Sequence, residues 1–179
     1  MAEQIELNIA NIVASGMLGI GEIDTSAVGE SLNLDNVSVY PGRVYMSQNN
    51  GPTVMIYRKG TYAIAGAKSH ESLIEAVDWM TTELRKISVP VESPVDSLEV
   101  KYIVYTADLE RALDLEMLLI ELGLENTEYE PEQFPGLLYR DSEYDCTILL
   151  FGSGKIVITG ARDQEVAREC LNRIATAID

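Results

Sequence analysis

The chain is poor in the residues that most often carry chemistry. Among 179 residues it has one histidine, two cysteines, one tryptophan and two phenylalanines. Cys146 and Cys170 are too few for a disulfide scaffold and suggest a reducing compartment. His70 falls in the first turn of a helical pattern, with no cysteine or carboxylate spaced as a metal ligand, so it is read as a surface residue. With no Cys–His pairing and no metal motif, a catalytic constellation is absent, no cofactor is expected and an enzyme is disfavoured. Long apolar runs are missing too. None approaches the roughly 18–20 residues of a membrane span. The opening MAEQIELNIA lacks a basic stretch followed by an apolar one, so no signal peptide is expected. The expectation is a soluble cytoplasmic protein.

Positive charge is scarce. Thirteen Lys and Arg face 29 Asp and Glu, a net charge of −16. Such a field repels phosphate and by itself argues against generic nucleic-acid binding. It fits a very soluble surface, an acidic face for a protein partner, or a salty cytoplasm. The acids are spread along the chain, and a hydrophobic content of 46% is ample for a core.

What the chain does have is an internal repeat. IANIVAS (residues 9–15) resembles VKYIVYT (residues 100–106), and LNLDN (32–36) resembles LGLEN (122–126). PGRVY (41–45) resembles PGLLY (135–139), and AIAGAK (63–68) resembles VITGAR (157–162). The order is kept at offsets of 90 to 94, which implies a duplicated unit, residues 1–90 and 91–179. Two copies fit a pseudo-twofold domain better than a solenoid.

Each copy follows one plan. A strand opens it, at 5–15 and 98–106. A short helix follows, from Asp24 to Leu32 and, more clearly, from an Asp114 N-cap to Gly123. In the first copy Gly29 is expected to weaken that helix. Hairpins come next, 53–58 with 62–65 and 147–151 with 155–159. A long amphipathic helix closes each copy. Leu73, Ala76, Val77, Met80, Leu84 and Ile87 stripe the first, capped by Ser69. Val166, Cys170, Leu171, Ile174 and Ile178 stripe the second, capped by Asp163. SVPVESPVD (88–96) reads as a linker. Trp79 falls at the edge of its stripe and reads as packing. GSGK (152–155) lacks the spacing of a phosphate loop and leads into a strand, so it reads as a hairpin turn.

TILLF and KIVIT are apolar in both alternation phases. The long helices cover one sheet face. The other is either stacked on a second sheet or left open for a ligand.

The stretch EYEPEQFPGLLYR (128–140) stands out. Pro131 and Pro135 stiffen it and withhold two N–H donors, Gly136 is read as turn freedom, and Phe134 lies beside the tip. Together with LLFGSGKIVITGAR (149–162), it resembles the second repeat of the TATA-box-binding protein family in its archaeal form. IANIVAS with AIAGAK resembles the first repeat, and the resemblance covers essentially the whole chain. It implies an α+β saddle: two pseudo-symmetric repeats form a curved antiparallel sheet with helices on the convex face and an apolar underside left open. It implies a general transcription initiation factor that bends A·T-rich promoter DNA through the minor groove, using apolar wedges at deformable base steps, and recruits transcription factor B. Such a factor would be nucleoid-associated.

Carried onto this chain, the resemblance assigns Phe134 and Phe151 as the wedge pair of the second repeat. Val104, Leu149 and Val157 are its apolar groove contacts, Thr159 a central hydroxyl, and Arg140 and Lys155 phosphate cations, with Arg162 as a helper. In the first repeat it assigns Asn11 as an amide donor to base acceptors and Val13 as an apolar contact. Glu130, Glu132 and Gln133 fall on the loop that meets transcription factor B. The first repeat departs from the pattern. Its loop, Ser38 to Gly42, lacks PEQF and leaves Tyr40 as the nearest substitute for the outer phenylalanine. Tyr57 stands for the inner one, Ala65 for the threonine, Thr61 for the lysine and Met46 for the arginine. Tyr102 replaces the second repeat's asparagine. These losses, with the acidic charge, imply weaker or asymmetric DNA binding and a flattened or inverted salt dependence. They also raise the alternative of a divergent paralogue acting as a protein-interaction or regulatory module. Dimerisation through the apolar face is a further reading of the same surface.

Overall fold

Strands dominate where apolar residues alternate and helices where they recur every three to four positions. The computed structural model describes residues 5–178. They group into two compact units, one of Asn11–Lys101 and one of residues 5–10 with 102–178.

In the first unit, strands β1 (Leu7–Met17), β2 (Val37–Tyr40), β3 (Arg43–Ser47), β4 (Thr53–Tyr57) and β5 (Thr61–Ala67) form an antiparallel array in the order β2-β3-β4-β5-β1. Burial alternates along β1 from Asn11 to Met17, along β3 and β4, and along β5 up to Ala65. Ile12, Ala14, Val44, Met46, Val54, Ile56, Tyr62 and Ile64 are fully buried, and so are Leu73, Val77, Met80 and Leu84 of helix α2 (His70–Lys86). The helix is entered through a Ser69–Ser72 capping box and ends on Arg85 and Lys86, which suit its dipole. Helix α1 (Thr25–Ser31) is capped by Asp24, whose Oδ1 accepts from Ser26 N and Ala27 N. Gly29 does not interrupt it. It is buried, and a Cβ there would lie 2.3 Å from Val39 Cγ2, so its missing side chain lets the helix lie close to β2.

The stretch read as a linker is part of this unit. Pro94–Ser97 form a turn of 3-10 helix, and Val91 is buried. Glu92 N donates to Leu18 O at 3.0 Å, and Tyr62 Oη donates to Pro94 O at 2.7 Å. Two prolines and polar neighbours suggest a free segment. What sequence does not show is that a carbonyl here satisfies the hydroxyl of a buried tyrosine.

Burial raises the Tyr62 hydroxyl to a pKa of about 12. The unfolded chain ionises this group near pH 10. The stabilisation from keeping it neutral is therefore complete below pH 10 and is lost as pH rises through about 12. Denaturant titrations at pH 9 and pH 11.5 should show wild-type stability falling by about 1–2 kcal/mol more than that of Tyr62→Phe. Equal losses would show that Tyr62 is not the titrating group.

The second unit repeats the plan with β6 (Glu99–Asp108), β7 (Thr127–Glu128), β8 (Gly136–Asp141), β9 (Cys146–Phe151) and β10 (Lys155–Thr159), in the order β6-β10-β9-β8-β7. Ile103, Tyr105, Leu137, Tyr139, Ile148, Leu150, Ile156 and Ile158 are buried, as are Ala167, Cys170, Leu171 and Ile174 of helix α4 (Gln164–Ile178). Asp163 caps α4 through Val166 N, and Asp114 caps helix α3 (Leu115–Glu121) through Glu116 N and Met117 N. Observed strands run up to two residues from the expected bounds, the usual uncertainty where pairing decides the ends.

Candidate nucleic-acid interface

With the helices on one face, each unit leaves the other strand face without a protein cover among the described residues. In the second unit that face carries Tyr102, Val104 and Thr106 on β6, Leu138 and Arg140 on β8, Thr147, Leu149 and Phe151 on β9, and Lys155, Val157 and Thr159 on β10. Every one is half-buried or exposed, while its chain neighbours on these strands point into the core, apart from exposed Lys101 before Tyr102. Pairing fixes the array: Leu138 opposes Leu149, Val157 opposes Leu149 from the other side, and Thr159 opposes Thr147. All the second-repeat residues assigned from the resemblance, except the loop residues, thus share one face. An open depression of about 510 Å³ lies beside Phe151, lined also by Thr106, Lys155 and Val157.

Phe134 reaches this face from the loop. Gln133 N and Phe134 N both donate to Glu130 O at 2.9 Å, closing a tight turn over Pro131 and Glu132. Glu130, Glu132 and Gln133 are exposed on it, with Gln133 Nε2 hydrogen-bonded to Glu130 Oε2. The Phe134 ring stays 41% exposed and meets Phe151 edge-on, centroids 5.8 Å apart at 67°. Gly136 is the reason they can meet. A Cβ at Gly136 would lie 2.7 Å from Phe134 Cε1 and 3.0 Å from Phe151 Cε1. Its value is space, not the turn freedom expected from sequence; the left-handed conformation belongs to its sequence counterpart Gly42, at φ 74°.

In the first unit the open face carries Asn11, Val13 and Ser15 on β1, Arg43, Tyr45 and Ser47 on β3, Met55 and Tyr57 on β4, and Thr61, Ala63 and Ala65 on β5. Gly66 N donates to Asn11 Oδ1 at 2.7 Å. That bond assigns the amide: its oxygen is held by backbone, and its NH₂ is left to donate outward. Tyr102, the matching position of the second unit, is 45% exposed.

The register of β3 differs by one residue from the repeat matched by PGRVY and PGLLY. Arg43 opposes Tyr57, and Gly136 opposes Phe151. Strand β8 is therefore offset from β3 by 93 positions, not 94, so Ser47 stands where Arg140 does. Met46 is 1% exposed and faces the helices, as Tyr139 does. A one-residue slip reverses the face of every side chain, and PGRVY/PGLLY similarity cannot detect it. The same register brings in Arg43 and Tyr45, which were not singled out. Ser15, Thr106, Leu138 and Met55 were missed as well, although period-two counting from Asn11 or Val104 would have found the first two.

Electrostatically the two open faces differ from the rest of the surface. Among their strand positions from Asn11 onward the carboxylates are Asp108 and Glu128, each at a strand end. Glu128 lies 3.6 Å from Arg140, both groups well exposed, a pair worth little in water. Arg43 and Lys155 take part in none of the ion pairs among the described residues. No group of three or more His, Cys, Asp or Glu there is placed to hold a metal, and no helix is long and apolar enough to cross a membrane.

Two α+β units, each with helices on one side and an open apolar, hydroxyl-bearing strand face on the other, define a repeat protein, the first unit's face carrying an outward amide as well. Comparison with known proteins gives the family. The profile described as transcription factor TFIID, or TATA-binding protein, matches residues 6–87 and again 97–179. The TATA-box-binding protein 2 of Haloferax volcanii is 43% identical, covering 99% of this chain and 95% of its own length. The TATA-box-binding protein of Natronomonas pharaonis is 41% identical over 97% of this chain and 92% of its own length. The solved structure of Methanococcus jannaschii TBP superposes with a TM-score of 0.80 at 34% identity, covering 97% of both chains. The chain belongs to the TATA-box-binding protein family and has its α+β fold.

Proposed function

We propose that this chain is a general transcription initiation factor that binds A·T-rich, TATA-type promoter DNA in the minor groove, bends it, and recruits transcription factor B. The observation that carries this reading is the charge distribution. A chain of net charge −16 keeps carboxylates off the interior of its two open strand faces and places apolar side chains, an outward amide and hydroxyls there. The minor groove of A·T pairs offers base acceptors and sugar edges, which such a face matches. The Asn11 amide donates to base acceptors, as does the Thr159 hydroxyl. Val13, Val104, Leu149 and Val157 lie against sugars. Tyr57 and Tyr102 add aromatic contacts, and Arg140 and Lys155 meet phosphates. Each repeat, residues 1–90 and 91–179, offers DNA its own strand face. Phe134 and Phe151 form the wedge, and the exposed turn with Glu130, Glu132 and Gln133 is the transcription factor B contact. The factor acts in the cytoplasm, on the nucleoid. In the free protein the same apolar faces would pair two copies, and sedimentation with and without duplex reads that exchange.

The test is a titration of end-labelled A·T-rich and G·C-rich duplexes at several salt concentrations, with energy transfer between the ends reporting bending, and transcription factor B added last. Bending confined to the A·T-rich duplex and a slower-migrating complex with transcription factor B are expected. Absence of bending with and without that factor sinks the reading.

A further inference from the structure

The first repeat replaces the aromatic pair with a different device. Arg43 occupies the register position of Gly136, directly opposite Tyr57. Its guanidinium carbon lies 5.5 Å from the Tyr40 ring centroid and 5.6 Å from that of Tyr45. The two rings are 5.1 Å apart at 57°, so both lie on one side of the cation. Tyr40 pairs with Arg43 across the tight β2–β3 turn, so the hairpin itself sets ring beside cation. Arg43 has no carboxylate partner among the described residues, in a chain of net charge −16. Tyr57, the counterpart of Phe151, keeps to the sheet: its hydroxyl donates a long contact to Met55 Sδ at 3.7 Å, two residues back on the same face. Tyr40 is engaged with Arg43 and Tyr45.

We propose that the Tyr40–Arg43–Tyr45 cluster is a phosphate clamp that holds the DNA backbone at the first-repeat end, and that no wedge enters a base step there. Bending by this chain is then confined to one repeat: Phe134 and Phe151 unstack a step, and Arg43 anchors the backbone at the first repeat. This rests on the DNA-binding reading above. The chemistry follows from this placement. Two rings gathered on one side of a guanidinium hold it by cation–π attraction and leave its other side, with N–H donors, free for an anion. A salt-bridged arginine would be compensated; this one is not. At the second-repeat end the matching space is occupied by the Phe134 ring, which needs glycine at that position.

The experiment uses the full chain and an A·T-rich duplex carrying 2-aminopurine at successive steps, whose fluorescence rises on unstacking, with affinity measured against salt. Tyr57→Ala and Tyr40→Ala should leave the number of unstacked steps unchanged. In Phe134→Ala/Phe151→Ala at saturating protein no step at either end should unstack. In Arg43→Ala the dependence of log affinity on log salt should change by about 0.9, the loss of one phosphate contact, with Arg43→Lys in between. Unstacking that survives the double phenylalanine variant and disappears with Tyr57→Ala overturns the proposal, as does a salt slope in Arg43→Ala equal to wild type. Failure of wild type to bind any duplex would instead strike the DNA-binding reading itself.

Discussion

Phe134→Ala and Phe151→Ala are each expected to weaken binding to A·T-rich duplex by roughly 5- to 150-fold and together to remove its bending. The range follows from about 1–3 kcal/mol for an aromatic ring stacked on a base. The effect is separable from folding because both rings lie on the open face. Phe134 is 41% exposed, and Phe151 points away from the buried row formed by Ile148 and Leu150. Their mutual edge-on contact contributes about 1 kcal/mol, so loss of one ring leaves the unit folded. Thermal unfolding of each variant, run beside the energy-transfer titration, supplies the control. A variant that melts like wild type and still bends DNA fully would remove the wedge assignment.

Arg173→Ala should be the most destabilising of the substitutions considered. Asp141 is 1% exposed at the end of β8. Its Oδ1 accepts from Glu143 N, Tyr144 N and Arg173 Nη1, and its Oδ2 lies 3.1 Å from Arg173 Nη1. Arg173 Nη2 also bonds Glu143, and its guanidinium stacks 5.4 Å from the Tyr144 ring. The hydrogen bond to Glu143 is the main cause holding Arg173 above its ordinary pKa, so it stays charged at any working pH. Removing a cation from a buried carboxylate costs about 3–5 kcal/mol. Two backbone donors remain here, and the arginine is itself partly in water, so about 2–3 kcal/mol is expected. Urea unfolding of Arg173→Ala measures it, and Asp141→Asn in the same background should recover part of the loss. A cost below about 0.5 kcal/mol, the range of ordinary surface substitutions, would show that the backbone donors alone suffice.

Net charge alone does not say where the charge lies. A net charge of −16 counts against nucleic acid as long as the charge is imagined evenly spread. Alternation of burial along β1, β4, β5, β9 and β10 places the acids elsewhere, leaving the open faces to Asn11, Val13, Val104, Leu149, Val157 and Thr159.

Local rules settled much of this molecule from sequence. The duplicated plan, the Ser69, Asp114 and Asp163 caps, the stripes of α2 and α4, and the strands at 147–151 and 155–159 depend on neighbours within a few residues, and periodicity records them directly. Phe134 stood out for the same reason, between two prolines. Tertiary structure decided what depends on distant partners. Strand pairing put Ser47 and not Met46 at the position matching Arg140, and brought Arg43 beside both Tyr40 and Tyr45. Packing turned Gly136 from a presumed turn residue into the space that two rings require, and a buried tyrosine hydroxyl turned 88–96 from a linker into part of a unit. Register and close approach are non-local: a shift of one residue changes every face while leaving the local pattern intact.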